Sequence, residues 1–346
     1  MTQHTAATAL KPALDERPLW DLIGGVLAYR AMAVSHDLKL FYFIAAAPRT
    51  VAEVCDELKI ASRPATALLT TCTAVGLLTV EEGRYELTPL TRTYLLESSP
   101  YYFGAYLDLL NVNDQVWSFE SVKQAVISDK PQAYGGDEVF KSDEGQAAFD
   151  RAAFLTHAMH SHSAGAAYAW PELIDLSDCQ KILDVGGGSG IHAIAAALQW
   201  PHLQAVVYDL PPVCEVAKEY IVRASLQERV KTHAADWRNS SFPVADAHFY
   251  ADIYHDWPPD KGRLLTKKSF DSLPAGGRII IHEMLYNDEK TGPLTTAAFS
   301  LAMLLWIEGQ QYSGHELEAI LTEAGFTEIE TKPSFGYWSI VTGRKR

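Results

Sequence analysis

The sequence predicts a chain in two parts. An N-terminal helical module closed by a small hairpin precedes a doubly wound, mostly parallel α/β sheet. Two patterns carry that expectation. Before residue 98, helical patterns are followed by two short strands. From Cys179 onward, short apolar runs alternate with amphipathic stretches, as strands and crossover helices of a parallel sheet do. A third observation places a ligand. A glycine-rich turn joins the first such strand to its helix, and open α/β sheets bind ligands at the carboxyl ends of their strands.

Bulk properties narrow the partners. At 346 residues the chain exceeds one ordinary core, and 48% hydrophobic with 21% charged residues reads as a soluble globular protein. A net charge of −14 repels phosphate backbones and anionic lipid, so neither nucleic acid nor a membrane is expected as a partner. No stretch is apolar for long enough to span a bilayer, and the polar N-terminus lacks the apolar core of a signal peptide. Cys55, Cys72, Cys179 and Cys214 show neither CxxC nor zinc-finger spacing. Free thiols in a reducing cytoplasm are the expectation.

The elements follow in order. Residues 19–47 carry apolar positions at helical spacing and predict two helices. "TVAEVCDELKI" predicts a short helix opened by Thr50 with Glu53 three residues on, a capping box. "SRPATALLTTCTAVGLL" predicts another, and "TVEEGRYELT" a hairpin turning at "EEG". Helices followed by a small hairpin are the pattern of a winged helix, which invites a DNA-binding reading. Its recognition helix would carry Arg63 alone as a cation, and residues 36–97 hold six Lys/Arg against eight Asp/Glu. With no basic face for counterion release, the module is expected to be structural, a dimerisation platform. Residues 99–172 are helical and aromatic, and the sheet domain is expected over 173–346, leaving 1–98 to the first module.

"ILDVGGGSGIHAIAAALQ" sets Asp184, Gly186, Gly188 and Gly190 between a strand and a helix. Glycine lets the backbone turn tightly and approach a ligand closely. The next strand ends "VVYDL", placing Asp209 where an acid can bind both hydroxyls of a ribose. The chemistry is that of an adenosine-containing cofactor. A nicotinamide fingerprint read from Gly186 and Gly188 would need glycine at 191, where Ile191 stands, and no Gly-Lys-Ser/Thr is present for a triphosphate.

The pattern Asp-x-Gly-x-Gly-x-Gly resembles motif I of the class I S-adenosylmethionine-dependent methyltransferases, whose sheet is Rossmann-like. With "YDLP", "HDW" at 255–257, "AGF" and the winged-helix-like N-terminus, nearly the whole chain resembles the small-molecule O-methyltransferases of the caffeate and acetylserotonin type, in their bacterial branch. The resemblance implies S-adenosylmethionine as cofactor, S-adenosylhomocysteine as product, and a homodimer. It implies that Asp236 and Trp237 contact adenine, and that Ser163, Leu210 and Tyr250 also lie beside the cofactor. No resident metal is expected.

"IYHDWPP" ends an apolar strand and at once presents His255 and Asp256. A phenol, with pKa about 10, is a weak nucleophile until its proton leaves, and an imidazole can take it at neutral pH. Asp256 is expected as a helix N-cap. The resemblance implies that Glu283, in "IIIHEML", orients the imidazole. It places Gln311 where the family often has a second glutamate; an amide still hydrogen-bonds but brings no charge. His157, His160 and His162 suggest a metal site, yet only the first two share a helical face. The resemblance instead makes Met159 an acceptor contact. Phe103, Asn111, Asn113, Trp117, Met303 and Trp306, with Tyr102, Phe119 and Tyr312, lie where the family builds its acceptor lid, a setting for a flat or hydrophobic small molecule.

The expected function is therefore methyl transfer to a hydroxyl with His255 as base. Two rivals stay open. Metal-assisted carbon methylation of a 2-oxo acid would make His255 a ligand, with a second histidine needed near Leu305–Trp306, where none stands. N-methylation would need less from a base.

Overall fold

The computed structural model describes residues 14–133 and 145–346. Most of the polar N-terminal leader lies outside the described residues. The chain divides into two compact units, Met1–Tyr102 and Phe103–Arg346. The aromatic helical stretch expected as a segment of its own belongs, from Phe103 on, to the same unit as the sheet.

The first unit comprises α1 (Arg17–Asp37), α2 (Leu40–Ala46), α3 (Val51–Leu58), α4 (Ser62–Ala74), β1 (Leu78–Glu81), β2 (Arg84–Leu87) and α5 (Pro89–Tyr94). The Thr50 hydroxyl accepts the Glu53 N–H, and the Glu53 carboxylate accepts the Thr50 N–H at 2.7 Å, so both ends of the expected capping box form. Glu82 and Gly83 both take positive φ, 48° and 75°, and close the β1–β2 hairpin as a primed turn does. Leu40, Phe41, Ile44, Val54, Leu69 and Cys72 form the core of this unit.

The second unit opens with α6 (Gly104–Val112), α7 (Phe119–Ser128) and α8 (Gln146–Ala167). The C-terminal half of α8 is buried on several sides: Ala158, Ser161, His162, Ser163, Ala164, Ala166 and Ala167 are all inaccessible. Small side chains suit a helix enclosed all round.

Seven strands follow: β3 (Lys181–Val185), β4 (Gln204–Asp209), β5 (Val230–Ala234), β6 (Ala247–Ala251), β7 (Arg278–Met284), β8 (Thr327–Pro333) and β9 (Trp338–Arg344). The helices between them are α9 (Ile191–Gln199), α10 (Pro211–Arg223), α11 (Pro259–Ser272), α12 (Leu294–Trp306) and α13 (Gly314–Ala324). The sheet order is β5-β4-β3-β6-β7-β9-β8, parallel through β7, with β9 antiparallel to both β7 and β8. Ile182, Val207 and Phe249 pack on one face; Leu183, Tyr208, Tyr250 and Ile281 pack on the other. Burial on both faces explains why these strands read as unbroken apolar runs. Strand order reverses between β3 and β6, so the crevice at their carboxyl ends lies at the switch point.

Candidate active site

Every acid singled out in the sheet domain sits at the carboxyl end of a strand. Asp184 closes β3, Asp209 ends β4, and Asp236 follows β5. At Gly186, with φ 67°, an added Cβ would collide with the Ile253 side chain, so only glycine lets this turn lie against the chain after β6. Asp209 accepts the Gly188 N–H at 2.8 Å and the Leu210 N–H at 2.7 Å, tying the glycine loop to β4. Burial pushes Asp209 up to about 6 and Asp184 up to about 7, against the hydrogen bonds their oxygens accept. Asp236 is clasped by Arg238, with its oxygens 3.0 Å from Nε and 2.9 Å from Nη2.

The chain after β6 carries the second half of the site. Tyr254–Asp256 form a 3-10 turn, and α11 starts only at Pro259 with Pro258 as its N-cap. Asp256 therefore does not cap the helix as expected: its Oδ1 lies 3.4 Å from His255 Nε2. Glu283 on β7 accepts the backbone N–H groups of Ile253 and Tyr254 with one oxygen, at 3.0 and 2.8 Å. Its other oxygen lies 3.1 Å from His255 Nδ1. Gln311 Nε2 reaches the same Nδ1 at 3.1 Å. Gly309 makes that reach possible, because a Cβ there would overlap the His255 carbonyl. Burial alone would lower the His255 pKa; the Glu283 carboxylate, with Asp256 and Asp252, overrides it and raises the imidazole to about 10. Burial also pushes Asp256 up to about 7.

Asp252 and His162 were not anticipated here. Asp252 takes left-handed φ (54°) and is buried; its Oδ1 accepts the Trp338 indole N–H at 3.2 Å. Its Oδ2 lies 3.6 Å from His162 Nδ1, and neither atom has a hydrogen bond. A carboxylate just past a strand end is the signal already used for Asp184 and Asp209, and it was available at Asp252. The three α8 histidines do not converge. His157 bonds Tyr220 and His160 bonds Ser189, while His162 faces Asp252.

One cavity of about 910 Å³ joins these parts, within the 300–1,000 Å³ usual for small-molecule sites. Asp184, Gly186, Gly188, Asp209, Leu210, Asp236, Trp237 and Ser163 line it at one end. His255, Asp252 and Asp256, with Met159, Trp117, Met303 and Trp306, line it at the other. Acidic groups for hydroxyls, a glycine loop lying close to the cavity and an indole wall fit an adenosyl amino acid.

Several expected residues stand elsewhere. Tyr250 faces the core, its hydroxyl on Ser269, because the second face of β6 packs against α11. Gly190 is the left-handed N-cap of α9, off the cavity wall. Asn113 donates its amide to the Leu109 carbonyl at 2.9 Å, Phe103 packs on Tyr106, and Asn111 is also absent from the lining. Tyr312 donates its hydroxyl to the Trp257 carbonyl, and Phe119 is exposed. Glu283 and Gln311 act from behind His255 rather than on the cavity wall.

Known proteins resemble this chain over nearly its whole length. The family model described as the O-methyltransferase domain matches residues 119–327, and that of the O-methyltransferase dimerisation domain matches residues 20–97. A 3-hydroxy-5-methyl-1-naphthoate 3-O-methyltransferase of Streptomyces sahachiroi is 33% identical over 90% of this chain and 90% of its own. An L-tyrosine C(3)-methyltransferase of Streptomyces lavendulae is 30% identical over 95% and 92%. Among solved structures, human N-acetylserotonin methyltransferase in complex with S-adenosylmethionine superposes with TM-score 0.83 at 24% identity, over 97% of this chain and 99% of that one.

Proposed function

The chain belongs to the O-methyltransferase family, and from that premise we propose that it methylates a hydroxyl of an aromatic or hydrophobic small molecule, with His255 as the base. The cofactor is S-adenosylmethionine, the donor throughout this family. The observation that carries the residue assignment is the fixed imidazole. His255 is held at Nδ1 by the Glu283 carboxylate, with the Gln311 amide packed beside the same nitrogen, and it lines the cavity that the glycine loop also lines.

When bound, S-adenosylmethionine supplies an electrophilic methyl group on a sulfonium sulfur. The chain's own residues do the rest. Asp209, Asp236, Trp237 and Ser163 hold and orient the adenosyl end. Met159, Trp117, Met303 and Trp306 exclude water and present the acceptor. The acceptor hydroxyl gives its proton to His255 Nε2, and Glu283 stabilises the imidazolium that results. The carboxylates around His255 raise its affinity for a proton, which strengthens it as a base toward a phenol of pKa about 10 once it is neutral. The proton that the ligand-free imidazole holds at neutral pH is bound less firmly once a positive charge shares the cavity.

The naphthoate enzyme's name supports an aromatic hydroxyl as the target. Carbon methylation, which the tyrosine enzyme's name describes, is the reading to test against it. The test is mass spectrometry of phenols and 2-oxo acids incubated with S-adenosylmethionine, with and without EDTA. A chelator-insensitive gain of one methylene on a phenol, with NMR placing the new methyl on oxygen, is the expected result, and a methyl on a ring carbon would favour carbon methylation. A chelator-sensitive gain on a 2-oxo acid would overturn the assignment of His255 as base.

We also propose a cytoplasmic homodimer. The dimerisation-domain match covers α1, whose exposed face carries Leu19, Trp20, Ile23, Val26 and Leu27. All four cysteines are free thiols and three are buried, which suits a reducing compartment. No described helix is long and apolar enough to cross a membrane.

A further inference from the structure

We propose that Asp252 reads the positive charge of the methyl donor: its carboxylate favours the sulfonium of S-adenosylmethionine over the neutral thioether of the product. Position is the first argument. Asp252 lies one residue past β6. Its neighbour Ile253 packs against Gly186 of the cofactor loop, and three residues on stands His255. A methyl group travelling from a donor on that loop to an acceptor at His255 passes this stretch of wall. Asp252 lines the cavity there.

Charge is the second argument. The groups facing Asp252 come from four directions. His255 and Asp256 are on the turn that follows it, Glu283 is on β7, His162 is on α8, and Trp338 is on β9. Against Asp252, Asp256 and Glu283 stands one imidazole; burial raises Asp252 and Asp256 to about 7 in the ligand-free chain, and a cation in the cavity favours their charged forms. Trp338 donates a neutral hydrogen bond. His162 brings no compensation, because burial, aided by His255, drives its pKa down to about 3. The cavity's arginines are occupied or distant. Arg238 clasps Asp236, and Arg151 lies eleven residues before His162 on α8, about 16 Å along the axis. A cavity with surplus negative charge around the reacting centre is the complement of a cation.

Built-in placement is the third argument. Left-handed φ at a non-glycine residue costs backbone energy and persists where surrounding structure holds it. Here the Trp338 bond fixes Oδ1, and Oδ2 is buried with no donor of its own. A buried carboxylate oxygen without a donor is costly unless a ligand supplies a partner.

The functional consequence is product release. Donor and product share their adenosyl and amino-acid groups, so the contacts at Asp209, Asp236 and the glycine loop hold both alike. The transferred methyl group and the sulfonium charge it creates separate them, and Asp252 sits where that charge matters.

Isothermal titration of the full-length protein with S-adenosylmethionine and with S-adenosylhomocysteine tests this. Asparagine keeps the shape of Asp252 and tolerates left-handed φ, so Asp252→Asn removes the charge alone. We expect the preference for the sulfonium over the thioether to fall about ten-fold in Asp252→Asn, with the thioether's Kd unchanged. Asp252→Glu should restore part of the preference. His162→Gln should leave it unaltered, and melting temperatures report folding of each variant. Equal weakening of both ligands would make Asp252 structural and overturn the proposal, as would no change in either. So would loss of sulfonium affinity from the wild type on chelation, since a bound metal ion would then be meeting the charge of Asp252.

Discussion

One carboxylate, Glu283, both builds the turn that carries His255 and holds the His255 imidazole. One of its oxygens accepts three backbone N–H groups there, from Ile253, Tyr254 and His255, and the other lies 3.1 Å from Nδ1. The two tasks separate on mutation. Glu283→Gln keeps an acceptor for the backbone but brings no charge to the imidazolium. We expect it to fold with a modest loss of melting temperature, to lose about ten- to a hundred-fold in kcat, and to show the acidic limb of its profile, where rate rises with pH, at lower pH. Glu283→Ala breaks a buried pair and strands the N–H groups of Ile253, Tyr254 and His255, at a cost of about 3–5 kcal/mol. A full pH–rate profile of Glu283→Gln checks the assignment; a profile identical to wild type would remove Glu283 from the chemistry.

His255→Ala should lower kcat about 10²–10⁴-fold on a phenolic acceptor while leaving cofactor affinity within a few-fold of wild type. The split matters, because His255 is proposed to touch the acceptor's proton and not the adenosyl group. A variant retaining wild-type turnover on the same acceptor would point to an amine or another acceptor that needs no base.

Stability should also depend on pH through His255. Its pKa rises from the ordinary 6.5 to about 10 in the folded chain, so the folded state binds the extra proton. That contribution is complete below pH 6.5 and is lost as pH rises toward 10. The buried, neutral His160, His162, His248 and His282 act on the acid side. Burial depresses them to about 3–4, so the stability they confer is present above 6.5 and lost as pH falls. Asp184, Asp209, Asp252 and Asp256, raised to about 6–7, oppose the histidines between pH 4 and 7. Above 7 these acids and histidines no longer titrate, and the buried thiols of Cys72, Cys179 and Cys214, raised by burial, act in the same direction as His255 only as pH nears 9 and beyond. Thermal melts of the ligand-free protein should fall from pH 7 to 10, and His255→Gln should reduce that slope, most clearly between pH 7 and 8.

Gly309 offers a second probe of the same turn, read alongside the melting temperature because a Cβ there would overlap backbone. A Cβ at 309 would press on the His255 carbonyl, and the displaced chain carries Gln311. Gly309→Ala should reduce kcat more than Gln311→Ala does, since it moves the backbone of the base itself. A fully active Gly309→Ala would show that the turn shifts without consequence.

How much of this was legible in the sequence depends on the range of the interactions. The capping box at Thr50, the glycine loop and the strand-end acids are local: each is a few consecutive residues whose backbone demands are written in their own spacing. His255 was legible because a polar pair interrupted an apolar run. Asp256 was misjudged because the two prolines that follow move the helix start to Pro259, leaving the carboxylate free to meet His255. Asp252 and His162 are 90 residues apart, and their approach depends on how α8 crosses the carboxyl edge of the sheet. No periodicity encodes that. Asn113 and Tyr250 have the right chemistry for a site, but the helix end and the core used their polar atoms first.

The last prediction concerns α1. Leu19, Trp20, Ile23, Val26 and Leu27 recur at helical spacing and are exposed by between 55% and 65% of their surface. A stripe of large apolar residues on one helix face marks an interaction site in a soluble protein. If a second copy covers it, the protein runs at twice 38.2 kDa in light scattering. Ile23→Glu with Leu27→Glu would place two charges in that stripe, and burying unpaired charge opposes association. We expect the double variant to run as a monomer with its far-ultraviolet helical signal retained. A double variant that stays dimeric would move the interface off α1, and a monomeric wild type would end the dimer reading altogether.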